Sequence, residues 1–221
     1  MSAAAAAAAA AGAAAFPQSL ALEPAEWRYE MRHSMQAVAP ALYLGPAEAG
    51  KDLQRLTAAG ITALLLLRSP HETPFVRPRF PEHFVYLVLD DVADQDTQNL
   101  IRLLPRARAF IDEQLARGGQ VLVHDDGGIS RAPAVVVMYL MDRYQVTFDA
   151  ALAHVQARRY CMHINPGFLN QIKEFEALSR AQHSYAGADM SDAVSSRRKR
   201  EMDDEDDEEM NAPRTGMTPF Q

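Results

Sequence analysis

Apolar residues along this chain fall into two patterns. One is the short continuous run: Ile61–Leu67, which follows Gly60, Val85–Leu89, which ends at Asp90, and Val121-Leu122-Val123. Runs of this kind predict strands buried on both faces, as in a parallel sheet. Ala41-Leu42-Tyr43-Leu44, closed by Gly45-Pro46, reads as a further strand. The other pattern is the helical stripe. Ile101, Leu104, Ala107, Phe110, Ile111 and Leu115 share one face of a helix over residues 100–117, which Gly118-Gly119 ends. Shorter stripes predict helices over 47–59, with Leu53 and Leu56 inward, and over 147–158, with Thr147 as N-cap and Phe148, Leu152 and Val155 inward. Residues 132–144 and 165–181 complete the helical set. Strands alternating with helices predict a single α/β domain. Its sheet is expected to be central, mixed and mostly parallel, of about four or five strands, with helices on both faces.

Composition sets the domain limits. The chain has 221 residues, 48% of them hydrophobic, enough for one ordinary domain plus tails. Residues 1–25 begin with a nearly pure alanine tract and read as a low-complexity tail. No Lys or Arg precedes Arg28, so the tract lacks the charges of a signal or transit peptide. Residues 26–185 are expected to form the domain. Residues 186–221 carry ten acidic and five basic side chains and read as a charged tail. The net charge of −7 therefore sits mostly in that tail, and the near-neutral domain offers no nucleic-acid surface. No run of strongly apolar residues is long enough to span a membrane. The single cysteine, Cys161, excludes intrachain disulfides and suits a reducing compartment. The basic cluster Arg197-Arg198-Lys199-Arg200 is compatible with nuclear import, and equally with attraction to the acidic block that follows it.

The chemistry is concentrated after the strand at 121–123. His124, Asp125, Asp126, Gly127, Gly128, Ile129 and Ser130 form a loop, and Arg131 opens a helix. Strand, Gly-containing loop and helix N-terminus together make an anion site: loop N–H groups turn inward and the helix dipole adds positive charge. Arg131 can fork onto two oxygens of one phosphate. The bland alternative is an ordinary strand–turn–helix with capping aspartates. A second candidate is the acidic loop Asp90-Asp91-Val92-Ala93-Asp94-Gln95-Asp96, whose aspartates, Asp94 and Asp96 among them, read on local grounds as loop and capping residues before the helix at 100–117. His124, Asp125 and Asp126 are adjacent and poorly spaced to converge on a metal, so no metal or other cofactor is expected.

The loop resembles the His-Cys-x-x-Gly-x-x-Arg signature of the dual-specificity protein phosphatases. His124, Gly128 and Arg131 stand at the His, Gly and Arg positions, with Asp125 at the Cys and Ala132 where Ser or Thr is usual. Further matches run from Leu42-Tyr43-Leu44-Gly45 to Asn165-Pro166-Gly167-Phe168, covering roughly residues 26–182. Within that family the chain is most similar to the catalytically dead STYX-type (serine/threonine/tyrosine-interacting) pseudophosphatases. The shared segments are Tyr86 to Asp90, Gly128-Ile129-Ser130-Arg131, Arg158-Arg159-Tyr160-Cys161 and the basic-then-acidic tail. The resemblance implies a dual-specificity-phosphatase-like fold with no active catalytic residue, Asp125 standing at the nucleophile position and Asp94 at the general-acid position. It implies a monomer in the cytoplasm, and in the nucleus if the basic cluster acts. It also implies binding of phosphorylated proteins, protein kinases among them, in competition with active phosphatases. Residual phosphatase activity and a phosphate-independent scaffold are the alternatives. Asp125 is expected to reach the loop amides and Arg131, leaving the pocket partly self-filled. Arg158 and Arg159 are expected at a solvated helix end, with an acidic partner as the other reading.

Overall fold

Five strands form one sheet in the order β1-β2-β5-β3-β4 in the computed structural model, which describes residues 26–181. The strands are β1 (Gln36–Ala39), β2 (Leu42–Pro46), β3 (Ile61–Leu67), β4 (Val85–Leu89) and β5 (Gln120–Asp125). β1 is antiparallel to β2, and β2, β5, β3 and β4 run parallel to one another. The mixed, mostly parallel sheet expected from the apolar runs is present. The tails at 1–25 and 186–221, with the basic cluster at 197–200, lie outside the described residues. Among the described residues, 26–177 form one compact unit.

Period-two alternation divides the core. Leu65, Leu67, Val121 and Val123 face one side of the sheet, and Leu64, Leu66 and Leu122 face the other. The first side packs against α2 (Leu104–Ala116), α3 (Arg131–Tyr144), α4 (Phe148–Arg158) and, through Phe168, Ile172 and Phe175, the helix that starts at residue 166. The second side is covered by the short α1 (Leu53–Ala58), through Leu56, and by the loop residues Val76 and Phe84. Helices thus lie on both faces, but unequally.

Local rules account for most boundaries. Asp52 caps α1 by accepting from the Arg55 N–H at 3.0 Å. That cap splits the expected 47–59 helix into a 3₁₀ turn, Ala49–Lys51, followed by α1. Pro105, in the first turn of α2, forbids an earlier continuous α-helix, so Ile101–Leu103 is a 3₁₀ turn. Thr147 caps α4, accepting from Ala150 N–H at 3.3 Å. Asn165 accepts from Phe168 N–H at 2.9 Å and starts the last helix. α3 is buried all round from Arg131 to Met141, as a helix lodged between the sheet and other helices must be. Its N-terminus points out of the carboxyl end of β5, the edge of a parallel sheet where α/β proteins place their sites.

Candidate active-site loop

The loop between β5 and α3 is shaped by its carbonyls. Asp126 C=O accepts from Ala47 N–H at 3.0 Å, and Ile129 C=O accepts from His163 N–H at 2.8 Å. Gly127 C=O and Gly128 C=O both accept from Arg159, at 2.9 and 2.6 Å. Four successive carbonyls are thereby bonded away from the loop centre. Gly128 takes φ +62°, and a Cβ there would lie 2.4 Å from Gly45 O, so only glycine fits. The Gly128 and Ala132 N–H groups point inward.

What those amides meet is Asp125. Its carboxylate accepts from Gly128 N–H in a short bond and from Ala132 N–H at 2.8 Å. Asp125 is buried. Burial pushes its carboxyl above the ordinary value, against the opposing pull of the Ala132 and Gly128 N–H groups and Arg131. The anion seat of the loop is therefore filled by the loop's own residue.

Arg131 is turned to a partner that the sequence reading did not single out. Its two terminal nitrogens donate to the two carboxylate oxygens of Glu72, at 2.5 and 2.6 Å, and one also donates to Val92 C=O at 3.0 Å. Its Nε has no hydrogen-bond partner among the described residues and lies 4.0 Å from the Asp125 carboxylate. Burial alone would lower the Arg131 pKa, but the Glu72, Asp125 and Asp94 charges together raise it. Glu72 ends a one-turn 3₁₀ helix, Pro70–Glu72. One Glu72 oxygen also accepts from Ser69 N–H at 2.6 Å and Ser69 O–H at 2.9 Å. Burial raises the Glu72 carboxyl, and the Arg131 and Ser69 bonds outweigh it and hold it below the usual range.

Of the remaining expected site residues, Asp94 does come to the loop. It accepts from Ser130 O–H at 2.7 Å and from Asn165 Nδ2 at 2.5 Å, so it is stapled to the loop and to the last helix. Asp96 accepts from Gly167 N–H at 3.3 Å and pins the same acidic loop further out. His124 is buried beneath the loop, its Nδ1 without a partner among the described residues. Burial drives its pKa down to about 4, which keeps the ring neutral. Asp126 and Ile129 are exposed on the outer side of the loop.

One expectation is corrected. Arg159 is neither a solvated helix end nor a handle for an acidic partner, because it is fully buried. Besides the two loop carbonyls it donates to Ser34 C=O and Arg32 C=O at 3.0 Å each, and to the Gln36 side chain. A buried guanidinium needs its donors filled, and here four backbone oxygens from two distant segments and the Gln36 side chain fill them. The pair Arg158-Arg159 carries no sign of this in sequence. A buried arginine looks like a surface one until the acceptors are in place.

Residues 42–178 match the family model of the dual specificity phosphatase catalytic domain. The chain is 43% identical over 159 residues to the mouse serine/threonine/tyrosine-interacting protein, covering 71% of each chain. It is 40% identical over 162 residues to a serine/threonine/tyrosine-interacting protein of Xenopus laevis, covering 72% of each. The crystal structure of the human tyrosine phosphatase-like serine/threonine/tyrosine-interacting protein superposes with a TM-score of 0.64 at 41% identity, over 66% of this chain and 97% of that one. With its parallel sheet, its loop of inward amides and these relatives, the chain belongs to the dual-specificity phosphatase family.

Proposed function

We propose that this chain is a phosphatase-fold regulator that hydrolyses no phosphate ester and acts by binding other proteins, phosphoproteins among them. The observation that carries the reading is the Asp125 carboxylate, seated on the loop amides where the family places a sulfur nucleophile. Loss of a nucleophile that works as part of a unit costs on the order of 10⁶ in rate. Carboxylates that do accept phosphoryl groups generally work with Mg²⁺ held by further carboxylates. Here Glu72 is committed to Arg131, and Asp94 to Ser130 and Asn165. Ala132 supplies no hydroxyl to help break down an intermediate. The name of the relatives, serine/threonine/tyrosine-interacting protein, supports binding as the retained activity. Partners of this kind include phosphorylated protein kinases and the substrates of active phosphatases. The cytoplasm is the compartment proposed, and the nucleus follows if the cluster at 197–200 directs import.

A second reading, a scaffold that ignores phosphate, is favoured by the Glu72 carboxylate lying across the Arg131 fork. The affinity of wild type and Arg131→Ala for phosphorylated and unphosphorylated forms of one peptide separates the two. Preference for the phosphorylated form that disappears in Arg131→Ala supports the phosphoprotein reader. Equal binding of both peptides by both proteins leaves the scaffold. Turnover of a small aryl phosphate by wild type, lost in Asp125→Ala, would overturn the non-catalytic reading.

A further inference from the structure

The planar Arg131 guanidinium is only partly committed. Nη1 and Nη2 each donate to Glu72 across the end of the group, and the second Nη1 N–H donates to Val92 C=O at 3.0 Å. The remaining edge carries the Nε N–H and the second N–H of Nη2 side by side, a fork that matches two oxygens of one anion. The side chain is 6% exposed, and its Nε has no hydrogen-bond partner among the described residues. Nε lies 4.0 Å from Asp125 Oδ2, the oxygen that accepts from Ala132 N–H, while Oδ1 accepts from Gly128 N–H. An anion on the free edge therefore comes against a buried carboxylate. Two anionic oxygens in contact at a buried site cannot both stay ionised, and one of them must take a proton. The charges around this corner of the loop do not remove the conflict. Arg131 on α3 and Arg159 after α4 are positive, and Asp94 and Glu72 are negative. His124 is neutral with Lys51 acting on it, and Asp126 is exposed.

We propose that the free edge of Arg131 is an anion seat that fills only together with a proton on Asp125. Two oxygens of the anion receive the Nε and Nη2 N–H groups. The proton sits on Asp125 Oδ2 and is donated to the same anion, while Oδ1 keeps Gly128 N–H. Glu72 stays on the far end of the guanidinium and holds its plane. The proposal rests on the phosphoprotein-binding reading and adds the ionic form that is bound. Binding takes up one proton, from solvent or from the ligand. A phosphate monoester, with a second pKa of about 6, can bring that proton as its monoanion. A sulfate stays a dianion and depends on solvent for it. Burial already moves the Asp125 carboxyl towards holding a proton, which eases the uptake.

The test is calorimetric titration of the full chain with sodium sulfate from pH 9 down to pH 5. His124, with a pKa of about 4, and Glu72, held below the usual carboxylate range, keep their charge states across that window. Wild type is expected to bind about tenfold more tightly for each pH unit of acidification while Asp125 is ionised in the free protein, with the slope flattening once Asp125 holds its proton. Heats measured in buffers of different ionisation enthalpy should show about one proton taken up per sulfate on the steep part. Asp125→Asn has the same size and no proton to gain, so its affinity should lack that slope and exceed that of wild type most at pH 9. Arg131→Ala should lose binding in both backgrounds. Should Asp125→Asn not fold, the proton uptake of wild type decides alone. Arg131-dependent binding with no proton uptake, or with the same slope in wild type and Asp125→Asn, would overturn the shared proton and leave the phosphoprotein reading intact. No binding of sulfate or of phenyl phosphate by wild type or Asp125→Asn at any pH would overturn both.

Discussion

The two sides of the Arg131 ion pairs are built differently. On the loop side, each carbonyl from Asp126 to Ile129 has a partner from another part of the fold, and Arg159 ties two of them to the segment 32–36. On the Glu72 side, one three-residue turn and one serine hold the carboxylate at a solvent-facing edge. The loop is framework and the Glu72 segment is attachment. A phosphatase-type cradle keeps its shape through its outward carbonyls, whether or not its centre can perform chemistry. At the rim, the Glu72 carboxylate holds the two terminal nitrogens of Arg131.

The comparison breaks most completely if Arg159 is removed. Arg159→Ala leaves the Gly128 carbonyl and the Gln36 side chain buried without their donor and frees three part-buried carbonyls, and a loss of about 3 kcal/mol is expected in denaturant unfolding, from about 1–3 kcal/mol for each buried group left unsatisfied. A loss below about 1 kcal/mol would mean that the loop is shaped by something other than Arg159.

Acid should also act on the framework side. His124 has a folded pKa of about 4 against an ordinary 6.5. The unfolded chain takes up that proton first, so stability is complete above pH 6.5 and falls as the pH drops towards 4, by about 3 kcal/mol for this one group. Asp125, raised above its ordinary value, works in the opposite direction: its contribution is present at low pH and is lost as the pH rises through its folded pKa. The readout is therefore the difference between wild type and His124→Asn in urea unfolding across pH 4–6.5, and the variant should show the shallower acid slope. Parallel slopes would mean that His124 takes up its proton equally in both states.

Two smaller changes sharpen the contrast at the centre and at the staple. Asp125→Gly empties the amide seat, and its affinity for inorganic phosphate is expected to exceed that of wild type by about tenfold. Equal affinities would show that a carboxylate in the seat does not compete. Ser130→Ala removes one bond to Asp94 and one from Asn165 N–H, for an expected loss of about 1 kcal/mol in thermal unfolding. A Tm unchanged from wild type would mean that the Asn165–Asp94 bond suffices to hold the acidic loop.

Much of this was legible without coordinates. The runs at 61–67, 85–89 and 121–123 are strands, and the stripes at 100–117 and 147–158 contain the helices Leu104–Ala116 and Phe148–Arg158, because a buried parallel sheet and its covering helices demand those periods from neighbouring residues. The strand Gln36–Ala39 left no such mark. It is a four-residue edge strand whose pairing with β2 follows from the turn between them. The expectation that Asp125 would fill its own loop also rested on short range, since Gly128 and Ala132 are three and seven residues away.

The chain alone thus determined four of the five strands, the main helices and the seating of Asp125 on the loop amides, which follow from spacing within a few turns. Tertiary structure alone decided that Arg131 pairs with Glu72, 59 residues away, and that Arg159 closes on carbonyls 31 and 32 residues back in the chain and on a segment more than 120 residues back. A buried ion pair or a buried guanidinium imposes no period on its neighbours. It requires only that two groups desolvated by the fold arrive together, and the packing of the sheet and helices brings them there.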